Sequence, residues 1–212
     1  MIQNKALKRR IVEISYKLKL GHIGSNLTAV DIIEEIYKIK KPEEKFVLSS
    51  GHAHLAHLVV CEKYIRNYAD DWTEHAIKKY GIHCDRMAGC DVSTGSLGHG
   101  IGIAVGMALA DRSKNVYCLL SDGEMAEGSV FEALRIRAEQ NLWNLKVYIN
   151  DNGWAAYRET NIFNGYAQFL DWSHIEYRET DMNDYPEWLQ GQIAHYKVLN
   201  EQEYNELLGI LK

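Results

Sequence analysis

Two apolar runs in this chain each end in a turn that carries a side-chain oxygen. Val116-Tyr117-Cys118-Leu119-Leu120 leads into Ser121-Asp122-Gly123, and Leu145-Lys146-Val147-Tyr148-Ile149 leads into Asp151-Asn152-Gly153-Trp154. Between them Phe131, Leu134, Ala138 and Leu142 recur at helical spacing, and Ser129 with Glu132 forms a capping-box pattern. Strand, helix and strand in this order make a βαβ unit. Both strand ends of such a unit face the same sheet edge, where ligands bind. The Asp122 carboxylate and the Asn152 amide oxygen therefore converge. Either Asp-Gly or Asn-Gly alone is an ordinary turn former. As a pair they argue for a site, because each is followed by a glycine that admits close approach of a ligand. Hard cations take oxygen ligands and share them with phosphates. The helix start near Ser129 adds free N–H groups and a positive dipole end toward an anion.

The rest of the chain alternates in the same way. Residues 3–19 predict a basic amphipathic helix that stops at Gly21. Thr28 and Asp31 predict a capping box opening a helix to Ile39. Phe46-Val47-Leu48 reads as a short strand, followed by a helix from His52 to about Tyr68 and another from Trp72 to Lys79. Residues 81–97 are irregular. Gly98 to Arg112 is apolar on all sides, which predicts a fully buried helix. After Trp154 no period is clear until a strand at His174 to Thr180 and a helix at Glu201 to Leu211. This order predicts a single α/β domain over residues 1–212, with a mainly parallel sheet flanked by helices on both faces.

Composition excludes several classes. A formal charge of −5 argues against a general nucleic-acid binder. No apolar run is long enough to span a bilayer, and the N-terminus lacks the pattern of a secretory signal. Cys61, Cys84, Cys90 and Cys118 show no Cys-x-x-Cys spacing, and read as reduced thiols of a cytoplasmic protein.

Two further motifs invite alternatives. Residues 94–102 are glycine-rich, but Ile103 and Val105 fall where a dinucleotide fingerprint needs glycine, so a Rossmann dehydrogenase is disfavoured. His52, His54 and His57 approach the His-x-His-x-Asp-His pattern of metallo-β-lactamase-type zinc hydrolases, with Ala56 at the aspartate position. His22 and His83 sit in polar, glycine-bearing loops, where spacing alone assigns no role.

Taken in order, the motifs resemble the thiamine-diphosphate-binding N-terminal domain of transketolase. They are Gly21-His22-Ile23-Gly24, Ser49-Ser50-Gly51-His52, Thr94-Gly95-Ser96-Leu97-Gly98-His99-Gly100, Ser121-Asp122-Gly123-Glu124-Met125-Ala126-Glu127-Gly128 and Asp151-Asn152-Gly153. The resemblance covers residues 6 to about 154. It implies that Asp122 and Asn152, with the backbone carbonyl of Trp154, ligate Mg²⁺ or Ca²⁺. It implies that Gly123 and His52 touch the diphosphate, and that Gly95, Ser96 and Leu97 line the aminopyrimidine. It gives His22 and His83 the role of contacting the sugar substrate and moving its protons, and Glu127 a place in a dimer interface.

The resemblance also has gaps. No pyrimidine-binding domain is present in these 212 residues, which implies one half of a split transketolase. A separate chain carries the other domain, and a dimer core makes the whole a heterotetramer acting on sugar phosphates. Ile23 replaces a usual proline and Ser121 a usual glycine. The Lys-Gly loop of the family is missing after residue 155, although residues 182–188 and 195–204 resemble its closing segment. Rival readings are a deoxyxylulose-phosphate synthase, a 2-oxoacid dehydrogenase α chain, a non-catalytic binding remnant and the zinc hydrolase.

Overall fold

A computed structural model of the chain describes residues 2–65, 71–162 and 174–212. Its strands are β1 (Lys45–Leu48), β2 (Val116–Ser121), β3 (Leu145–Asp151) and β4 (Ile175–Glu179). They form one sheet in the order β1-β2-β3-β4, every neighbouring pair parallel. The α-helices among the described residues are α1 (Lys5–Leu18), α2 (Ile23–Ile39), α3 (His54–Tyr64), α4 (Trp72–Tyr80), α5 (His99–Ala110), α6 (Gly128–Glu139), α7 (Ile193–Tyr196) and α8 (Glu201–Ile210).

Strands β1 to β3 are largely apolar on both faces because both faces are covered, whereas the edge strand β4 has no buried residue. Successive side chains alternate across a strand. Phe46, Leu48, Tyr117, Leu119 and Tyr148 join the core beneath α1 to α4, α7 and α8. Val47, Val116, Cys118, Leu120, Val147 and Ile149 join the core beneath α5 and α6. Burial of each large apolar side chain contributes about 1.5–3 kcal/mol. The α/β class, the parallel sheet and its two helical layers are as expected.

Several boundaries differ. Helix α2 begins at Ile23, which leaves Thr28 inside it instead of at its cap. Ile23, Leu27 and Val30 are all buried, so packing extends the helix backward over the polar cap signal. The Thr28 hydroxyl donates to the Ser25 carbonyl within its own helix and accepts from the Asn150 amide. Helix α6 starts at Gly128 with Ser129 exposed, so the Ser129 capping box does not form. Its buried face is Val130, Ala133, Leu134 and Arg137, with Phe131 and Ala138 only half-buried. A 3₁₀ turn at Gly51–Ala53 precedes α3. Residues 66–68 of the helix predicted there lie outside the described residues, as do residues 163–173 of the stretch without a clear period.

Helix α5 is not buried all round. Ile101, Ala104, Val105 and Ala108 face the core, whereas Ile103 is 42% and Leu109 40% exposed. Gly102 and Gly106 are exposed on the same side. The exposed side of this apolar helix is a candidate contact surface.

Candidate functional site

The C-terminal edge of the sheet carries the site. Ser121 on β2 pairs with Asn150 on β3, so Asp122 and Asn152 leave neighbouring strands side by side. Both line one cavity of about 210 Å³, with Gly123 and Trp154 beside them. His22 and His52 enter it from the segments before α2 and α3, and His83, Gly95 and Leu97 enter from the irregular segment after α4. Ser96 is exposed and lines neither this cavity nor its neighbour; its carbonyl accepts the His99 N–H. The neighbouring cavity, about 380 Å³, shares Ser25, Asn152, Trp154 and His195 with the first.

The strand-end oxygens are held by local bonds. Asp122 is 3% exposed. One of its oxygens accepts the Thr160 hydroxyl at 2.6 Å and the other accepts the Gly123 N–H at 2.9 Å. Asn152 accepts the Trp154 N–H at 3.0 Å. Asp151 accepts from Gly153 N–H and from the Tyr177 hydroxyl. Burial pushes Asp122 up to about 7, and the Asp151 carboxylate adds to that, against the Thr160 hydrogen bond. A desolvated carboxylate beside a second one is a place that a cation relieves. Carboxylate, amide and carbonyl oxygens are hard donors, suited to Mg²⁺ or Ca²⁺.

Opposite them is a cluster of imidazoles. The His22 ring lies 5.4 Å from His52 and 4.5 Å from His195, centroid to centroid. Burial, with His195 and His83 adding, lowers His22 to about 4. Burial, with His22, His195 and His83 adding, lowers His52 to about 3. Both rings are therefore neutral near pH 7 and can accept a proton or bind a hydroxyl. Among the described residues the buried Nδ1 of His22 has no hydrogen-bond partner. His195 carries no sequence signal beyond its place in the closing segment. It reaches the site because α7 packs on α2: a Cβ on Gly24 would stand 2.8 Å from Ala194 Cβ, and the His22 N–H donates to the His195 carbonyl at 2.8 Å.

The three histidines of residues 51–57 do not converge. His52 turns to the cavity, while His54 and His57 are buried on the other side with rings 6.5 Å apart. The constellation of the zinc hydrolase reading is thus not assembled. A residue missed entirely is Glu124. It is fully buried and binds three elements together, accepting from the Ser49 hydroxyl at 2.7 Å, Gly98 N–H at 2.9 Å and Ser121 N–H at 3.1 Å. Burial raises its carboxyl to about 7. Gly98 is in the left-handed region at φ 76°, and a Cβ there would press on Glu127 at 2.8 Å. Glu127 is half-buried next to it.

A parallel sheet with carboxylate and amide at adjacent strand ends and a neutral histidine cluster opposite defines an α/β domain with a candidate ligand site at its sheet edge. The family model described as 1-deoxy-D-xylulose-5-phosphate synthase matches residues 3–185. The chain belongs to this family of transketolase-type N-terminal domains. It is 34% identical over 168 residues to an apulose-4-phosphate transketolase subunit of Phocaeicola vulgatus, covering 71% of this chain and 60% of that protein. It is 34% identical over 157 residues to human transketolase, covering 62% of this chain and 24% of that one. The fold is similar to transketolase from Campylobacter jejuni, with a TM-score of 0.79 at 19% identity, over 99% of this chain and 42% of that one. The chain spans about 60% of the length of the Phocaeicola relative. Among the described residues no helix is long and apolar enough to cross a membrane.

Proposed function

We propose that this chain is the diphosphate-binding subunit of a split transketolase, working with a separate chain that carries the pyrimidine-binding domain. The observation that supports it is the placing of Asp122, Asn152, His22, His52 and His83 around one cavity. Asp122 and Asn152 hold Mg²⁺ or Ca²⁺ through side-chain oxygens, and Trp154 does so through its carbonyl. Gly123 and His52 lie against the diphosphate. Gly95 and Leu97, which line the cavity, offer backbone groups to the aminopyrimidine, and Ser96, outside the cavity, links them. Thiamine diphosphate, when bound, supplies the electron sink for cleaving and forming a C–C bond beside a carbonyl. His22 and His83 bind the hydroxyls of the sugar phosphate and move their protons. The neutral ring of His22 suits it as a hydrogen-bond acceptor for a sugar hydroxyl.

The open face of α5 supports a dimer core made of two copies of this chain, flanked by two partner chains. Glu127, near the start of α6, belongs to that interface. A charge of −5 fits neither a nucleic-acid partner nor an anionic membrane surface, and a cytoplasmic setting suits the four free cysteines.

The description of the matched family model favours a second reading, a deoxyxylulose-phosphate synthase. The relatives with subunit names favour transketolase, and two of them are named as transketolase subunits for different sugars. A donor assay separates the readings. This chain, co-purified with a chain carrying the pyrimidine domain, should transfer a two-carbon unit from a ketose phosphate and fail to condense pyruvate with glyceraldehyde phosphate. Condensation of pyruvate with glyceraldehyde phosphate, with loss of CO₂ and no transfer from a ketose phosphate, would replace the first reading with the second. Full transketolase turnover by this chain without a partner would refute the split arrangement.

A further inference from the structure

We propose that His54, Cys84 and Cys90 bind one structural zinc ion, on the side of the loops facing away from the cofactor cavity. The ligating atoms of His54, Cys84 and Cys90 lie within 4.8 Å of one another, and all three residues are buried. Tetrahedral zinc, with Zn–S near 2.3 Å and Zn–N near 2.0–2.1 Å, places neighbouring sulfur and nitrogen ligands about 3.5 Å apart.

One further observation points to a ligand and not to simple packing. His54 is fully buried, and among the described residues neither of its ring nitrogens has a hydrogen-bond partner, with the Cys90 thiol a polar neighbour in the cluster. A buried imidazole is ordinarily paired, and an orphaned one calls for an explanation. His57 stands beside the cluster, its Nδ1 at 3.5 Å from Cys90 Sγ and its Nε2 at 2.7 Å from the Tyr37 hydroxyl. Two thiolates and one neutral imidazole suit zinc, with a water completing the tetrahedron. On binding, each cysteine releases a proton to solvent, and the two thiolate charges cancel those of Zn²⁺. The complex is neutral, which its burial demands.

The site would position the cavity. His54 follows His52 by two residues and Cys84 follows His83 by one. The Cys84 N–H already donates to the Gly51 carbonyl, and the Cys84 carbonyl accepts the Thr94 N–H. A metal bonded to both segments would lock the loops that present His52, His83 and Gly95 to the cavity.

The test uses the full chain purified from zinc-supplemented cells. Elemental analysis should find one zinc per chain. Cobalt(II) in its place should give the visible bands of a tetrahedral site and a sulfur-to-cobalt charge-transfer band. C84S and C90S should lose that band and the metal. D122N should keep both, which separates this site from the proposed cofactor cation. The wild-type cobalt spectrum needs no variant to fold. Zinc-free wild-type protein, a cobalt spectrum without the thiolate band, or a Cys84–Cys90 disulfide in the freshly purified chain would each overturn the assignment.

Discussion

The side-chain amide of Asn26 donates to the backbone carbonyl of His22 at 2.8 Å. The same side chain reaches the His52 carbonyl at 3.4 Å and accepts the Ala56 N–H at 2.8 Å. One buried residue on α2 thus joins the two loops that bring histidines into the cavity. Replacing it with leucine leaves the buried Ala56 N–H and the His22 carbonyl without these partners. Asn26→Leu should destabilise the chain by about 1–3 kcal/mol, a loss of several degrees in Tm for a chain of this size. Urea unfolding checks it, and an unchanged midpoint would mean that the loops are held by other contacts.

Gly100 sits where a Cβ would stand 2.6 Å from the Ser49 backbone at Cα. Backbone cannot yield as a flexible side-chain tip can. Gly100→Ala should cost about 1–3 kcal/mol by overpacking. The neighbouring Gly102, with open space at its Cβ position, should accept alanine with unchanged or slightly raised stability. Thermal melts of the two variants side by side decide it; equal losses would contradict the geometry.

The histidine cluster sets an acid limb of stability. His22 and His52 have folded values of about 4 and about 3, below their ordinary 6.5. Below 6.5 the unfolded chain takes up protons that the folded chain refuses, so stability falls as pH falls from 6.5 toward 4. Imidazoles of His195 and His83 face the pair and reinforce the effect, while the Asp122 carboxyl lines the same cavity. The double variant H22Q/H52Q should lose less stability than the wild type between about pH 7 and about pH 5. Parallel pH profiles of the two proteins would show that the histidines protonate freely in the folded state.

The open face of α5 gives a prediction about assembly. Ile103 and Leu109 are exposed on one side of an otherwise apolar helix. Ile103→Lys should change the stability of the monomer by no more than about 0.5 kcal/mol, and should shift the sedimentation pattern from dimer to monomer. A variant that still sediments as a dimer would place the interface elsewhere.

Much of this was legible in the sequence, for reasons that differ by element. The strand runs at residues 116–120 and 145–149 are apolar on both faces because helices cover both, and a short β-rich run between turn signals is hard to misread. Asp122 and Asn152 were legible because each stands at the tip of such a run. Boundaries set by long-range packing were not. The start of α2 depends on Gly24 meeting Ala194 across the fold, and no window around residue 24 contains residue 194. The same holds for His195, and for Glu124, whose partners Ser49 and Gly98 come from distant segments. The splitting of His52 from His54 and His57 follows from the 3₁₀ turn at Gly51–Ala53, which spacing alone does not reveal.

The central claim is that Asp122 and Asn152 jointly hold a divalent cation that anchors thiamine diphosphate. Titration calorimetry of thiamine diphosphate into the full chain, with and without Mg²⁺, addresses it most directly. Binding should require Mg²⁺ and should be lost in Asp122→Asn. Saturation at one hundred times Kd should raise the stability of the wild type by about 2.7 kcal/mol and leave the variant unmoved. Equal binding with and without the metal, or by wild type and variant alike, would contradict the account.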